Sequence, residues 1–471
     1  MLFNSYGYLF LFLPLALAGY FALSRSSITA LAWLVAASLF FYGWWNPWHL
    51  PLVIGSIAFN FWTGNRIMGS TANVRRWLWL GIAGNLLLLG VFKYTHFAVR
   101  VVADLSGWPP AIQPIALPLG ISFFTFTQIA YLVDTARGEV HETNPLHYAL
   151  FVTFFPHLLA GPILHHKEMM PQFAEATNRH FNPANFARGL FLLALGFGKK
   201  VLIADPLGTT ANAGYTNIDA LGFSDAWLAT LAYTFQIYFD FSGYTDMALG
   251  AALMFNIRLP VNFNSPYLSA NIQEFWRRWH ITLSRFLRDY LYVPLGGSRA
   301  ADMRIATNVM ATFLLGGLWH GAGWTFILWG GLHGAALVVF RWWQHVGFRM
   351  HRVAGVLLTF AFVHLTWIFF RASSIQDAMR MLRALWPGDA NWSLPPIGLS
   401  QLAAWLGLPY AAPSVGILLL VAAGLTLLPR NSDRLAGQFV ARKREGIWAA
   451  VLLALGTLTL GQVSQFLYFN F

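Results

Sequence analysis

The sequence predicts an all-α, polytopic integral membrane protein of roughly a dozen tilted or broken helices. Three observations carry that reading. Only 10% of the 471 residues are charged and 57% are hydrophobic, with a mean hydropathy of +0.53; soluble domains carry about 25% charged residues. Apolar runs recur from one end of the chain to the other. The basic residues fall mostly between those runs, where membrane topology requires them. No soluble domain is expected beside the embedded one, so residues 1–471 read as a single domain.

Taken in order, the opening MLFNSYGYLFLFLPLALAGYFALS has no basic stretch ahead of its apolar run. It reads as a retained first helix near 7–23 rather than a cleaved signal. Further runs lie near 29–45, 50–68, 77–92, 112–133, 145–164, 187–204 and 222–255. A later set lies near 305–319, 322–340, 353–370, 413–429 and 447–466. Several are shorter than the ~20 residues a full span needs, which predicts tilted or re-entrant segments. Arg25, then Arg66, Arg75 and Arg76, then Arg430, Arg434, Arg442, Lys443 and Arg444 mark cytoplasmic loops. Both termini, including the tail FLYFNF, then lie on the periplasmic side. The stretch 371–412 opens with RASSIQDAMRMLRALWPGD and continues into NWSLPPIG. Its apolar spacing predicts an amphipathic helix on the outer surface, or a docking platform for a partner.

The net charge of +12 does not point to nucleic acid, because a nucleic-acid binder shows a basic face with few hydrophobic runs. It leaves membrane lipid headgroups or an anionic cofactor as counterparts. The chain has no cysteine, which removes thiol nucleophiles, disulfides and thiolate metal sites. Acyl transfer by this chain must therefore use oxygen or nitrogen chemistry.

Two polar features stand out from the apolar background. The first is ANIQEFWRRWHITLSRFLRDYLY, read as one helix over 272–292. On a helical wheel Trp276, Trp279, Leu283, Phe286, Leu287 and Tyr290 form an apolar stripe, with Arg277, Arg278, Arg285 and Arg288 opposite and His280 on the flank. The bland reading is an interfacial anchor; the sharper one gives the arginines the phosphates of a coenzyme. The second is GGLWHGAGW. The run Ile305–Trp319 is 15 residues, about 22 Å of helix, so His320 is expected to stop inside a hydrocarbon core about 30 Å thick. An ionisable group at that depth is usually functional. No cysteine and no serine in a nucleophile-elbow motif accompanies it, so its natural role is general base towards an incoming hydroxyl. Asp240, Tyr244, Asp246, Asn262, Asn264, His157, Gln128 and Asp134 add polar groups in apolar context, suggesting a polar cavity. Each taken singly reads as a hydrogen-bonded structural group. No histidine pair has helical metal-ligand spacing, so no metal is expected.

The blocks YFDFSGYTDMA, LPVNFNSPYLSANIQEFWRRWHITLSRFLRDYLYVPLGG and GLWHGAGWTFILWGGLHG resemble the core of the membrane-bound O-acyltransferase family. FFPHLLAGPI and both chain ends fit the same resemblance, so it covers nearly the whole chain. It is strongest to the branch that O-acetylates bacterial exopolysaccharides such as alginate and cellulose; teichoic acid D-alanyl transfer is more distant. The resemblance implies helices ringed around a central funnel, with His320 as the catalytic histidine and His280 at a second family position near the cytoplasmic mouth. It implies cytoplasmic acetyl-CoA as donor and relay of the acetyl group across the inner membrane to a periplasmic acetyltransferase or acceptor. Trp319, Asn264, Tyr244, Asp289, Asp246 and His157 are then candidates for the substrate pocket, and Arg277, Arg278, Arg285 and Arg288 for the donor phosphates. The rival readings are a D-alanyl, lipid or protein O-acyltransferase and, in another class, a transporter; no inverted repeat supports the last.

Overall fold

The computed structural model describes residues 1–107, 113, 115–299, 301–347, 349–387, 415–428, 431–460 and 467. Among them the chain is helical and no strand occurs, as the apolar runs predict. Arg430, the NWSLPPIG stretch and the FLYFNF tail other than Leu467 lie outside the described residues. Two compact units divide the chain, one formed by Met1–Leu193 with Met247–Pro260, the other by Ala194–Asp246 with Val261–Phe471.

The first unit runs through α1 (Leu13–Ala22), α2 (Ser27–Gly43), α3 (Leu50–Met68), α4 (Val74–Leu89), α5 (Thr95–Ser106) and α6 (Ile121–Ala136). A π-helical turn, Gly90–Tyr94, joins α4 to α5, so the run expected to end near 92 continues to Ser106 as one apolar segment. The run expected over 145–164 is broken instead into α7 (Pro145–Thr153) and α8 (Phe155–Leu158). Phe154 takes φ −48° and ψ 108° between them, and Pro156 lacks the amide hydrogen that a continuous helix would use. α9 (His166–Ala174) and α10 (Pro183–Gly198) follow. Inside this unit several buried polar groups satisfy one another. Gln128 Nε2 donates to Ser56 Oγ at 2.8 Å, and the Tyr148 hydroxyl donates to Gln128 Oε1 at 3.1 Å. Asn60 and Asn85 exchange amide hydrogen bonds across α3 and α4. Apolar surroundings make such pairing obligatory.

The second unit contains α11 (Asp205–Thr216), much of α12 (Phe223–Met254), α13 (Ile272–Arg278), α14 (Ile281–Leu287), α15 (Asp302–His320), α16 (Trp324–Val346), α17 (Arg352–Arg371) and α18 (Ile375–Ala384). It ends in α19 (Val415–Leu427), α20 (Ser432–Gly437) and α21 (Lys443–Thr459). α16 and α17 are each long and apolar enough to cross a membrane. α15 and α16 form a hairpin that turns at Gly321–Gly323. Its halves meet backbone to backbone: a Cβ on Gly317 would collide with the carbonyl of Phe326, and one on Gly330 with that of Phe313. Only glycine permits that approach. α18 is the amphipathic helix expected after residue 371, with Ser374 capping the Asp377 amide; Arg380 ties it to Asp219.

Candidate active site

The helix expected over 272–292 is not continuous. α13 stops at Arg278, Trp279 is extended, and His280 takes the left-handed conformation, φ 44° and ψ 54°, before α14 starts. A non-glycine residue in that region costs roughly 1–2 kcal/mol, so its surroundings must hold it there. Asn262 does so. Its Oδ1 receives the Thr282 amide at 3.1 Å and the Thr282 hydroxyl at 2.9 Å, and lies 3.2 Å from His280 Nδ1. The Ile281 amide also donates to the Asn262 carbonyl at 3.0 Å. An amide oxygen only accepts, so His280 carries its proton on Nδ1, leaving Nε2 as the acceptor. His280 is 0% exposed, and full burial favours the neutral ring.

His320 is the last residue of α15 and 4% exposed. Rings enclose it: Trp319 at 5.0 Å, Trp329 at 5.2 Å and nearly perpendicular, and Phe370 at 5.3 Å between centroids. His280 lies 6.4 Å away, edge to face. Sequence placed the two histidines at different depths; the structure makes them neighbours. α15 also begins earlier than the apolar run, at Asp302. Its 19 residues span about 28 Å, and His320 meets Phe370 in the last turn of the 20-residue α17. The histidine therefore lies at the turn of the α15–α16 hairpin.

Beside this pair is a cavity of about 580 Å³ lined by Trp276, Arg277, Ile281, Ser284, Arg285, Leu287, Arg288, Tyr292, Thr312, Phe313 and Arg341, among others. Arg277, Arg285 and Arg288 thus share a wall with Trp276 and Leu287, which the uninterrupted wheel had put on the opposite face; the break at His280 re-aims them. Arg277 makes no ion pair among the described residues. Arg288 is held by Asp289 through Nε at 2.6 Å, and Arg341 by Asp302 at 3.3 Å. Arg278 is outside the lining: it pairs with Glu274 at 2.6 Å and donates to the Asn264 carbonyl. Ile281, the residue after His280, and Trp276 place this cavity next to the pair, although neither histidine lines it.

The remaining sequence candidates scatter. Trp319 joins the site, within 6.4 Å of His280. Asn264 is exposed, its amide donating to the Arg278 carbonyl and its Oδ1 accepting from Asn431. Tyr244 is buried on α12. Asp246 is neutralised by Lys199 at 2.7 Å. Lys200, the next residue, meets Asp205 and Asp240, each at 2.6 Å. Both lysines open a π-helical segment, Lys199–Ala204. His157 belongs to the first unit, buried beside Phe123, Thr127 and Pro162. Missed from the sequence were the cage rings Trp329 and Phe370 and the supporting role of Asn262. Their signal was the glycine- and tryptophan-rich setting of His320, too common in membrane helices to single them out. Among the described residues no group of three or more His, Cys, Asp or Glu is arranged to hold a metal.

The profile of the MBOAT, membrane-bound O-acyltransferase, family matches residues 92–375. A peptidoglycan O-acetyltransferase of Helicobacter pylori is 43% identical, the match covering 100% of this chain and 98% of that protein. A protein of Azotobacter vinelandii named probable alginate O-acetylase is 40% identical with 100% of both chains covered. A teichoic acid D-alanyltransferase of Bacillus subtilis is 28% identical over 52% of this chain and 66% of that protein.

Proposed function

As this chain belongs to the membrane-bound O-acyltransferase family, we propose that it takes acetyl from cytoplasmic acetyl-CoA and passes it across the bacterial inner membrane for O-acetylation of an extracytoplasmic polysaccharide. The chain is an acyltransferase. The observation that carries the finer reading is the contact of a neutral, tautomer-fixed His280 with His320 beside an arginine-lined cavity. The cavity would take the coenzyme, its phosphates accepting charge-assisted hydrogen bonds from Arg277, Arg285 and Arg288. His320 removes the proton from the acceptor hydroxyl as that oxygen attacks the thioester carbonyl. The tetrahedral intermediate collapses, the C–S bond breaks, and the leaving thiolate recovers the proton from the imidazolium. The products are an acetyl ester and the free thiol of coenzyme A.

His280 is placed to orient the thioester or assist that proton transfer, and Trp319 to shape the pocket. Tyr244, Asp289, Asp246 and His157 are assigned support of the surrounding bundle, and Asn264 and Arg278 support of the loop behind His280. A polymer is wide and the cage around His320 is narrow, which favours a small relay to a periplasmic acetyltransferase or acceptor of the same pathway. The relatives act on alginate and on peptidoglycan by name, and alginate or cellulose is the acceptor polymer we favour. We take the whole chain as one embedded domain with both termini periplasmic. Purified protein given labelled acetyl-CoA should release coenzyme A, and His320→Ala should lower that rate by roughly 10²–10⁴-fold without changing yield or oligomeric state. Wild-type turnover in His320→Ala would overturn the general-base assignment. Turnover with an activated D-alanine donor and none with acetyl-CoA would move the chain to the D-alanyl branch.

A further inference from the structure

A third histidine of the second unit, His333 on α16, is fully buried next to the site. Its two ring nitrogens are both engaged. Trp276 Nε1 lies 3.3 Å from His333 Nδ1, and His333 Nε2 lies 3.0 Å from Thr366 Oγ1. The directions of these bonds follow from the chemistry of the partners. An indole N–H only donates, so Nδ1 must be the unprotonated nitrogen. The single Thr366 hydroxyl hydrogen goes to the Val363 carbonyl at 2.9 Å. The hydroxyl oxygen is therefore left to accept from Nε2–H. The chain Trp276 to His333 to Thr366 to Val363 runs one way only and fixes one neutral tautomer of His333.

Trp276 is the residue that this chain holds, and its place gives the bond a purpose. Its indole lines the arginine-walled cavity. The same indole packs edge to face on Trp329 at 5.8 Å, and Trp329 stands perpendicular to His320 at 5.2 Å. His333 also packs tilted on Trp329 at 4.8 Å and stacks on Phe275 at 6.3 Å. One indole is thus shared between the wall of the cavity and the cage of the catalytic histidine, and its only polar atom is tied to His333. We propose that His333 is a positioning residue for the acyl donor: by anchoring Trp276 it sets the wall against which the donor binds. This rests on the assignment of the cavity to the coenzyme.

The proposal separates binding from chemistry. His333→Leu and Trp276→Phe each break the same bond, the second while keeping an aromatic ring. Both should raise the KM for acetyl-CoA by about tenfold, and the dissociation constant of non-reactive coenzyme A similarly, while kcat changes less than threefold. The double variant should be no worse than the poorer single one, because the two act through one interaction. His333→Gln offers an amide oxygen to Trp276 and an amide hydrogen to Thr366, and should recover most of the lost affinity. Each variant is compared only after its melting temperature and elution profile in detergent match the wild type. A loss in kcat with KM unchanged, additive losses in the double variant, or no rescue by glutamine would overturn the assignment. If the wild-type protein binds no coenzyme A at all, the cavity assignment falls instead, and the binding assay shows this before any variant is made.

Discussion

Asn262→Ala tests whether the break at His280 is held or merely tolerated. The substitution removes one oxygen that three donors share: His280 Nδ1 and both the amide and hydroxyl of Thr282. A buried donor left without its acceptor costs about 1–3 kcal/mol. The Thr282 hydroxyl can rotate, so the total falls near one or two full penalties, about 2–4 kcal/mol. His280 also keeps a left-handed backbone, φ 44°, held then by the Ile281 amide bond to the carbonyl of residue 262 without the side-chain bonds. Melting of the detergent-solubilised protein followed by size exclusion should drop by roughly 2–4 °C, and release of coenzyme A should fall with it. Asn262→Asp separates the structural part from the chemical one. It preserves the acceptor, so melting stays near wild type, but it sets an anion where Nδ1 now sees a neutral oxygen at 3.2 Å. Opposite charge favours the protonated ring and raises the His280 pKa. Below the raised pKa, Nε2 is protonated and no longer an acceptor. The variant should lose activity as pH falls, through a limb that begins at higher pH than any the wild type shows. Wild-type melting and turnover in Asn262→Ala, or superimposable pH profiles for Asn262→Asp and wild type, would refute the reasoning.

Gly317→Ala places a methyl against the Phe326 carbonyl and wedges the hairpin that carries His320; turnover should fall at least tenfold, while Gly331→Ala, where a Cβ meets only Leu314 Cδ2 at 3.4 Å, should stay within twofold. Lys200→Met leaves Asp205 and Asp240 without their shared cation and should cost about 3–5 kcal/mol, seen as lost monodisperse protein; adding Asp240→Leu should recover part of the yield. Arg277→Gln should raise the KM for acetyl-CoA several-fold, with a smaller rise at 0.5 M salt than at low salt because screening already weakens the wild-type interaction.

Much of the architecture was legible because lipid imposes a simple rule: backbone polar groups must be satisfied within the segment, so long apolar runs become helices. His320 was legible for the same reason, as an ionisable group at the end of such a run. The local geometry of His280 was not. Nothing in WRRWHITL announces a positive φ, since histidine adopts it here only because Asn262, far earlier in the chain, supplies the bonds. With the break unseen, a straight wheel sent Arg277, Arg285 and Arg288 away from Trp276, when all four line one cavity. The closeness of His280 and His320 was hidden likewise, because run lengths measure depth along separate helices and say nothing of where a kinked segment re-enters. Asn264 and Arg278 look like site residues in sequence by proximity to the motif; in space they stitch the loop behind it.

The two lysines at the start of Lys199–Ala204 depend on how that turn is wound. In a π-helical turn one extra residue is accommodated without a loop, and here it lets neighbouring side chains serve different carboxylates, Lys199 that of Asp246 and Lys200 those of Asp205 and Asp240. Lys200 and Asp205 are five residues apart, a spacing that ordinary winding at 100° per residue would put about 140° apart and that the wider π turn brings back to one face. The pairing is thus a property of the winding rather than of the residues between: conservative substitutions at Val201 or Ile203 should leave it in place.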